Sequence, residues 1–254
     1  VSSSGHLILG KALLGINDKS ILFEVVVHFG TLLAVVTAFS KDIQWLLKGV
    51  VSVFRPTKSD STLQSDNDEN AARYITFIIW ATVPIVLVGL FLKSYVEEAF
   101  ANPILAGYLL VVTGIILLIS RLGLRASGRV NSFRSIVVGV VQAIAILPGI
   151  SRSGSTIAAG MILGVAREEA ARFSFLMAIP AIGGAFVLQL IDLSGISISQ
   201  AYFFALATGF VVSYVSGFLA IKLLMATVKK GRFDYFAWYC FAVGFLAIYF
   251  LQDT

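Results

Sequence analysis

Two short turns in this chain combine residue types that suit a phosphate. The first, Val1-Ser2-Ser3-Ser4-Gly5-His6, opens an apolar run. The second, Pro148-Gly149-Ile150-Ser151-Arg152-Ser153-Gly154-Ser155-Thr156, has the same build and adds a guanidinium. Hydroxyl residues and glycine just ahead of a helix leave free backbone N–H groups at its positive end, where an anion is favoured. Ser2, Ser4 and Gly5 in the first turn, and Ser151, Ser153, Gly154 and Thr156 in the second, are therefore candidates for holding phosphate oxygens. Arg152 offers a planar fork of donors that grips phosphate bidentately and stabilises its charge as a P–O bond breaks. His6 can act as nucleophile or general base near neutral pH, and Ser3 or Ser4 can be activated by an imidazole at hydrogen-bond distance. The residues by themselves leave those roles open.

A structural reading competes with this one. Small residues let membrane helices approach closely, and the serines and glycines alone fit that use. His6 and Arg152 fit it less well, because ionisable groups at membrane depth are expensive without a ligand or an ionic partner. Glu24 and His28 are four apart and share a helical face, so either they pair within a bundle or Glu24 lines the site cavity. Arg167, Glu168, Glu169 and Arg172 read as a solvated cap of ion pairs at a span entry.

The elements that must position these residues are membrane helices. Of 254 residues, 58% are hydrophobic and 13% charged, with a mean hydropathy of +0.91, outside the range of an ordinary soluble domain. A hydrocarbon core takes about 20 apolar residues of helix. Runs of that kind occupy Tyr74–Leu92, Pro103–Ser120, Phe173–Ile191 and Ala201–Ile221, and Tyr235–Leu251 adds another. Ile21–Phe39 makes a sixth, with Glu24 and His28 as an inward polar stripe. The runs are continuous rather than alternating, which excludes a membrane barrel. The lone Cys240 lies in the last run and indicates neither a disulfide nor a metal ligand. The net charge of +5 comes from basic residues in loops beside apolar runs, the pattern of membrane topology, so nucleic acid is excluded as a partner. The polar segment 56–70 reads as a flexible cytoplasmic loop.

Basic residues concentrate between Ser40 and Arg73, Arg121 and Arg134, and Lys222 and Arg232, which assigns these three loops to the cytoplasm. Six spans alternate correctly only if Ile136–Val165 enters from the cytoplasmic side and returns to it. Its apolar part, Ile136–Leu147, is too short to span and is broken by Pro148-Gly149. A shift of 149 positions pairs Ser2 with Ser151, Ser4 with Ser153, Gly5 with Gly154, Ile8 with Ile157, Leu14 with Leu163 and Gly15 with Gly164. The spans that follow the two copies end on opposite sides, so the repeat, roughly 1–120 and 133–254, is inverted, and its broken helices should meet near the midplane. The expected fold is therefore a single all-α integral membrane domain, 1–254, of six transmembrane helices and two re-entrant helical hairpins. The first hairpin is incomplete in this chain, and the opening at Val1 leads us to expect further sequence upstream.

The strings VSSSGHLILG and LPGISRSGSTIAAGMILG, with FEVVVHFGTLLAV and FSFLMAIPAIGGA, resemble the undecaprenyl pyrophosphate phosphatase family of the bacitracin-resistance type over nearly the whole chain. The resemblance implies hydrolysis of undecaprenyl pyrophosphate to the monophosphate and inorganic phosphate. Such an enzyme recycles the carrier lipid for peptidoglycan synthesis and confers bacitracin resistance. It would be a multi-pass protein of the bacterial plasma (inner) membrane, with its site facing outward. The family's motif histidine falls on His6, its serine on Ser3 and its arginine on Arg152, with Ser151, Ser153 and Thr156 around it. The resemblance also implies a divalent cation, Mg²⁺ or Ca²⁺, bound through an acidic motif that would lie upstream of Val1, so no metal ligand is assigned here. A homodimer is implied on the same ground. A polyprenyl-phosphate transporter or flippase is the alternative, since inverted repeats with broken helices are also how carriers are built, and a carrier needs no nucleophile. A purely structural subunit would waste two matched polar turns.

Overall fold

A computed structural model describes residues 1–14, 21–54, 62–191 and 200–252. The elements in chain order are α1 (Ser3–Leu13), α2 (Ile21–Ala38), α3 (Ser40–Phe54), α4 (Thr62–Phe91), α5 (Lys93–Phe100), α6 (Pro103–Ile119), α7 (Ser132–Ile144), α8 (Arg152–Ile162), α9 (Arg167–Ile191), α10 (Gln200–Lys229) and α11 (Tyr235–Leu251). A short 3₁₀ turn, Ser120–Gly123, follows α6. Among the described residues the β structure amounts to one isolated bridge, between Gly128 and Val165.

Four stretches are long and apolar enough to cross a membrane: Glu69–Phe91, Pro103–Gly123, Arg167–Leu188 and Tyr202–Lys229. A fifth arises if Val25–Ala38 and Ser40–Val51, bent by 77° at their junction, count as one span. At most 39% of any of the four spans is buried inside the protein, so their outer faces present apolar side chains such as Leu90, Ile115, Leu219 and Leu223. That much uncovered apolar surface is stable against lipid and not against water. The last helix, α11, has 17 residues, about 26 Å at the usual rise per residue.

Two elements depart from the sequence expectation. The segment 56–70 was expected to be a loop, yet α4 already begins at Thr62; the rest of that segment, 56–61, lies outside the described residues. Within the polar start of α4, Glu69 pairs with Arg73 one turn on, at 2.7 Å, an exposed pair that supports the helix modestly. Arg167 to Arg172 is also less solvated than expected. Arg172 meets Glu169 at 3.9 Å with both side chains half-buried, and the Arg167 guanidinium lies over Gly231.

Contacts divide the chain into two compact units: Val1–Lys19, Trp80–Phe175 and Leu224–Thr254 in one, Ser20–Ile79 and Leu176–Leu223 in the other. Each draws on both halves of the sequence. In the first unit α6 is the hub and packs on α1, α8 and, most extensively, α11. The α6–α11 approach is close because Gly107 faces Ala247 and Gly244, while Gly244 in turn faces Val111. Asn102 caps α6 by accepting from the Leu105 N–H at 2.9 Å, with Pro103 at the first helical position. In the second unit Gly30 and Gly217 of α2 and α10 admit the facing helix, and Phe29 stacks on Phe186 and Phe210 at ring separations of 4.7 and 5.8 Å.

The short helices α7 and α8 form a hairpin within the first unit. Asn131 caps α7 by accepting from the Arg134 N–H at 2.9 Å. α8 ends in a Schellman motif: Val165 N donates to Gly160 O at 2.9 Å and Gly164 N to Met161 O at 3.0 Å, with Gly164 at φ +87°. Gly128 then closes the hairpin, its N–H donating to Gly164 O at 3.0 Å and its carbonyl accepting from Ala166 N at 2.8 Å. The chain therefore leaves the hairpin beside the point where it entered. The helices α1 and α8 are both 11 residues long, and they begin and end at positions related by the same 149-residue shift found in the sequence.

Candidate functional site

The second polar turn is built on α6. Gly149 adopts φ +96° and is pressed against Ala106 and Leu109, so a side chain there would be both strained and obstructed. Thr113, fully buried in the middle of α6, clamps the turn with one hydroxyl. It donates to Gly149 O at 2.9 Å and accepts from Ser151 N at 3.0 Å. Ser151 then caps α8, its hydroxyl accepting from Gly154 N at 3.1 Å. At the other side of the first turn of α8, Thr156 shares a 2.6 Å hydrogen bond with Ser174 of α9. The α8 N-terminus is thus held from α6 and from α9.

What this scaffold presents is donors. The first N–H groups of α8, those of Arg152 and Ser153, have no intrahelical acceptor. The Arg152 guanidinium is half-buried and, among the described residues, has no acceptor or carboxylate partner. The Ser155 hydroxyl is buried without a partner among the described residues. Donors without acceptors, beside a helix N-terminus, make a site for an anion.

The first turn lies against the second. A Cβ at Gly5 would stand 2.9 Å from the Gly149 Cα, so the two turns meet backbone to backbone where only glycines fit. Ser2 precedes α1 in the left-handed region at φ 49°, and its buried hydroxyl has no partner among the described residues. A non-glycine residue held there costs about 1–3 kcal/mol, and such strain gathers at functional sites. The conformation aims the Ser2 carbonyl at His6: it accepts from the His6 backbone N–H at 3.1 Å and from the ring Nδ1 at 2.8 Å. A carbonyl only accepts, so Nδ1 carries hydrogen and the neutral ring keeps its lone pair on Nε2. That nitrogen lies 2.7 Å from the Tyr239 hydroxyl of α11, with the two rings parallel and 5.5 Å apart.

The structure therefore brings together the turns that carry Ser2, Gly5, Gly149 and Ser151, and it sets His6 against Tyr239. It forms no hydrogen bond between His6 and Ser3, which is exposed, or between His6 and Arg152. Ser4 and Ser153 are half-buried on the first turns of their helices. Glu24 belongs to α2 in the other unit, and its side chain lies outside the described residues. Among the described residues no group of three or more His, Cys, Asp or Glu side chains could hold a metal. The residues present do not make the oxygen cage that a hard divalent cation needs, so no step below is routed through one.

Sequence reasoning missed Thr113, Ser174 and Tyr239. The one aliphatic hydroxyl within α6 was the available signal for Thr113. Tyr239 gave none, because a Trp-Tyr pair near the end of a membrane helix reads as an interfacial anchor.

The family model described as bacitracin resistance protein BacA matches residues 1–246, a stretch that contains both turns, Thr113 and Tyr239. The chain belongs to this family. Among its relatives, the undecaprenyl-diphosphatase of Methanosphaera stadtmanae is 40% identical over 98% of this chain and 90% of its own length. The protein of the same name from Salinibacter ruber is 38% identical over 99% and 93%. Undecaprenyl-diphosphatase 1 of Shouchella clausii is 35% identical over the full chain and 91% of its own length.

Proposed function

We propose that this chain hydrolyses undecaprenyl diphosphate to undecaprenyl phosphate and inorganic phosphate. The BacA family membership and the name its relatives carry support the reaction. The observation that carries the site is the abutment of Gly5 on Gly149, which puts the imidazole turn beside the unpaired donors of α8. Arg152, the N–H groups of Arg152 and Ser153 and the Ser2 and Ser155 hydroxyls bind the diphosphate and take up charge as the terminal P–O bond breaks. The nucleophile is Ser3, activated by His6, or His6 itself through Nε2. Either one forms a bond to the terminal phosphorus as undecaprenyl phosphate leaves, and water then releases inorganic phosphate. A requirement for a divalent cation, Mg²⁺ or Ca²⁺, belongs to the same proposal: such an ion would supply charge neutralisation, and none of the residue roles above depends on it.

The same reading extends to topology. α7 and α8 form a re-entrant hairpin, supported by their short lengths and by the bridge between Gly128 and Val165. α1 is an arm of its counterpart in an inverted repeat, and six spans carry the protein across the plasma membrane with the site open to the outer side. The protein works as a homodimer, a state that cross-linking in membranes reports directly.

The test is phosphate release from undecaprenyl diphosphate by purified protein in detergent, with Mg²⁺ or Ca²⁺ added. Rapid release, abolished in His6→Ala and Arg152→Ala proteins that elute normally by size exclusion, supports the reading. A well-folded protein that moves the lipid across vesicles, releases no phosphate and keeps its flux in His6→Ala is a carrier instead.

A further inference from the structure

We propose that Tyr239 is a positioning residue for His6, a role that rests on the phosphatase reading and that family resemblance did not assign. Two hydrogen bonds define the imidazole. Ser2 O holds the hydrogen on Nδ1 at 2.8 Å, which leaves Nε2 as the basic atom, and the Tyr239 hydroxyl meets that atom at 2.7 Å. A phenol both donates and accepts. It donates to Nε2 while the site is empty; because that occupies the only lone pair of the neutral ring, the hydroxyl hydrogen must rotate away before Nε2 acts, and the phenol oxygen then accepts from Nε2–H once His6 has taken the Ser3 proton. The same contact therefore serves both states, with a rotation of one hydroxyl hydrogen and no movement of the rings. Parallel stacking at 5.5 Å fixes the plane of the imidazole as well.

The position of Tyr239 is set by packing remote from the turn. Gly107 and Gly244 let α6 and α11 approach, and Gly114 receives the ring of Phe241, two residues beyond Tyr239. α6 also carries Thr113, which clamps the second turn. One helix thus references both halves of the site. Tyr239 is about half exposed (48%), so its hydroxyl is not held there by burial and its removal leaves no cavity.

The experiment compares wild type with Tyr239→Phe, which keeps the stacked ring and deletes only the hydroxyl. In protein carrying ¹⁵N-histidine, with His28→Gln to leave a single signal, the Nε2 resonance of His6 should move in Tyr239→Phe. In the same pair, kcat for phosphate release should fall by up to about 100-fold, the order of loss when a reacting group is slightly misplaced, with KM within about twofold. An unchanged Nε2 resonance refutes the contact, and a moved resonance with unchanged kcat refutes its role in positioning. If wild type itself releases no phosphate, the phosphatase reading falls and the catalytic part of this proposal falls with it, while the resonance still reports on the contact.

Discussion

Arg152 and Thr113 illustrate two ways a single residue can matter to this site. Arg152 presents its charge without a partner among the described residues, so its value lies in what it binds. Replacing it by lysine keeps the charge and loses the fork, and should lower kcat/KM for undecaprenyl diphosphate at least tenfold, because a bidentate grip differs from a point charge. Its thermal stability should be little changed, since lysine keeps the cation and no ion pair among the described residues is lost. Thr113 binds nothing but the protein. Thr113→Val is nearly isosteric yet leaves Gly149 O and Ser151 N–H buried without their partner. The loss should cost about 1–3 kcal/mol of stability, seen as a lower melting temperature in detergent, and activity should fall with it. A variant that keeps both would show that the second turn holds its shape without α6.

At the level of elements, the decisive contact is between two turns rather than two side chains. Gly5→Ala places a methyl carbon 2.9 Å from the Gly149 Cα and 2.8 Å from the Ser2 Oγ, closer than side-chain carbons pack, so the backbone of the two turns must shift apart. Both helices can remain intact while the imidazole and the α8 donors fall out of register. Gly5→Ala should therefore lose more than tenfold in kcat, as expected where small misplacement of reacting groups is costly, and the overpacking should cost about 1–3 kcal/mol of stability. Gly149→Ala is different in kind. It puts a side chain at φ +96° against the Ala106 carbonyl, costs at least about 1–2 kcal/mol from the backbone alone, and should lower stability and activity together.

For the molecule as a whole, the bridge between Gly128 and Val165 ties topology to an accessible experiment. If α7 and α8 dip into the bilayer and return, residues on the two sides of that bridge share one aqueous face. In a Cys240→Ser background, Ser127→Cys and Ala166→Cys should react with a membrane-impermeant maleimide from the same side of oriented vesicles. Labelling from opposite sides would make α7 and α8 a crossing instead. Chelation probes the cation on the same scale: EDTA should abolish phosphate release, and added Mg²⁺ or Ca²⁺ should restore it. Activity that persists in EDTA would exclude a required divalent cation.

The apolar runs determined by themselves that the chain is helical and membrane-embedded, because lipid forces every backbone group to pair within its own segment and so makes hydropathy legible. They also located the ends of α6 and α11 closely, and the break at Pro148-Gly149. The motif turns, read residue by residue, were enough to name the chemistry that His6 and Arg152 suit. Local pattern failed where distant chain decided the outcome. Tyr239 is 233 positions from His6, and Thr113 reaches the second turn from another helix. Nothing in either neighbourhood encodes those partners. Only the packing of α6 on α11 and of Gly5 on Gly149 decided which nitrogen of His6 faces a hydroxyl and which donors of α8 stay unpaired, because close approach is a property of two surfaces at once and neither sequence segment states it alone.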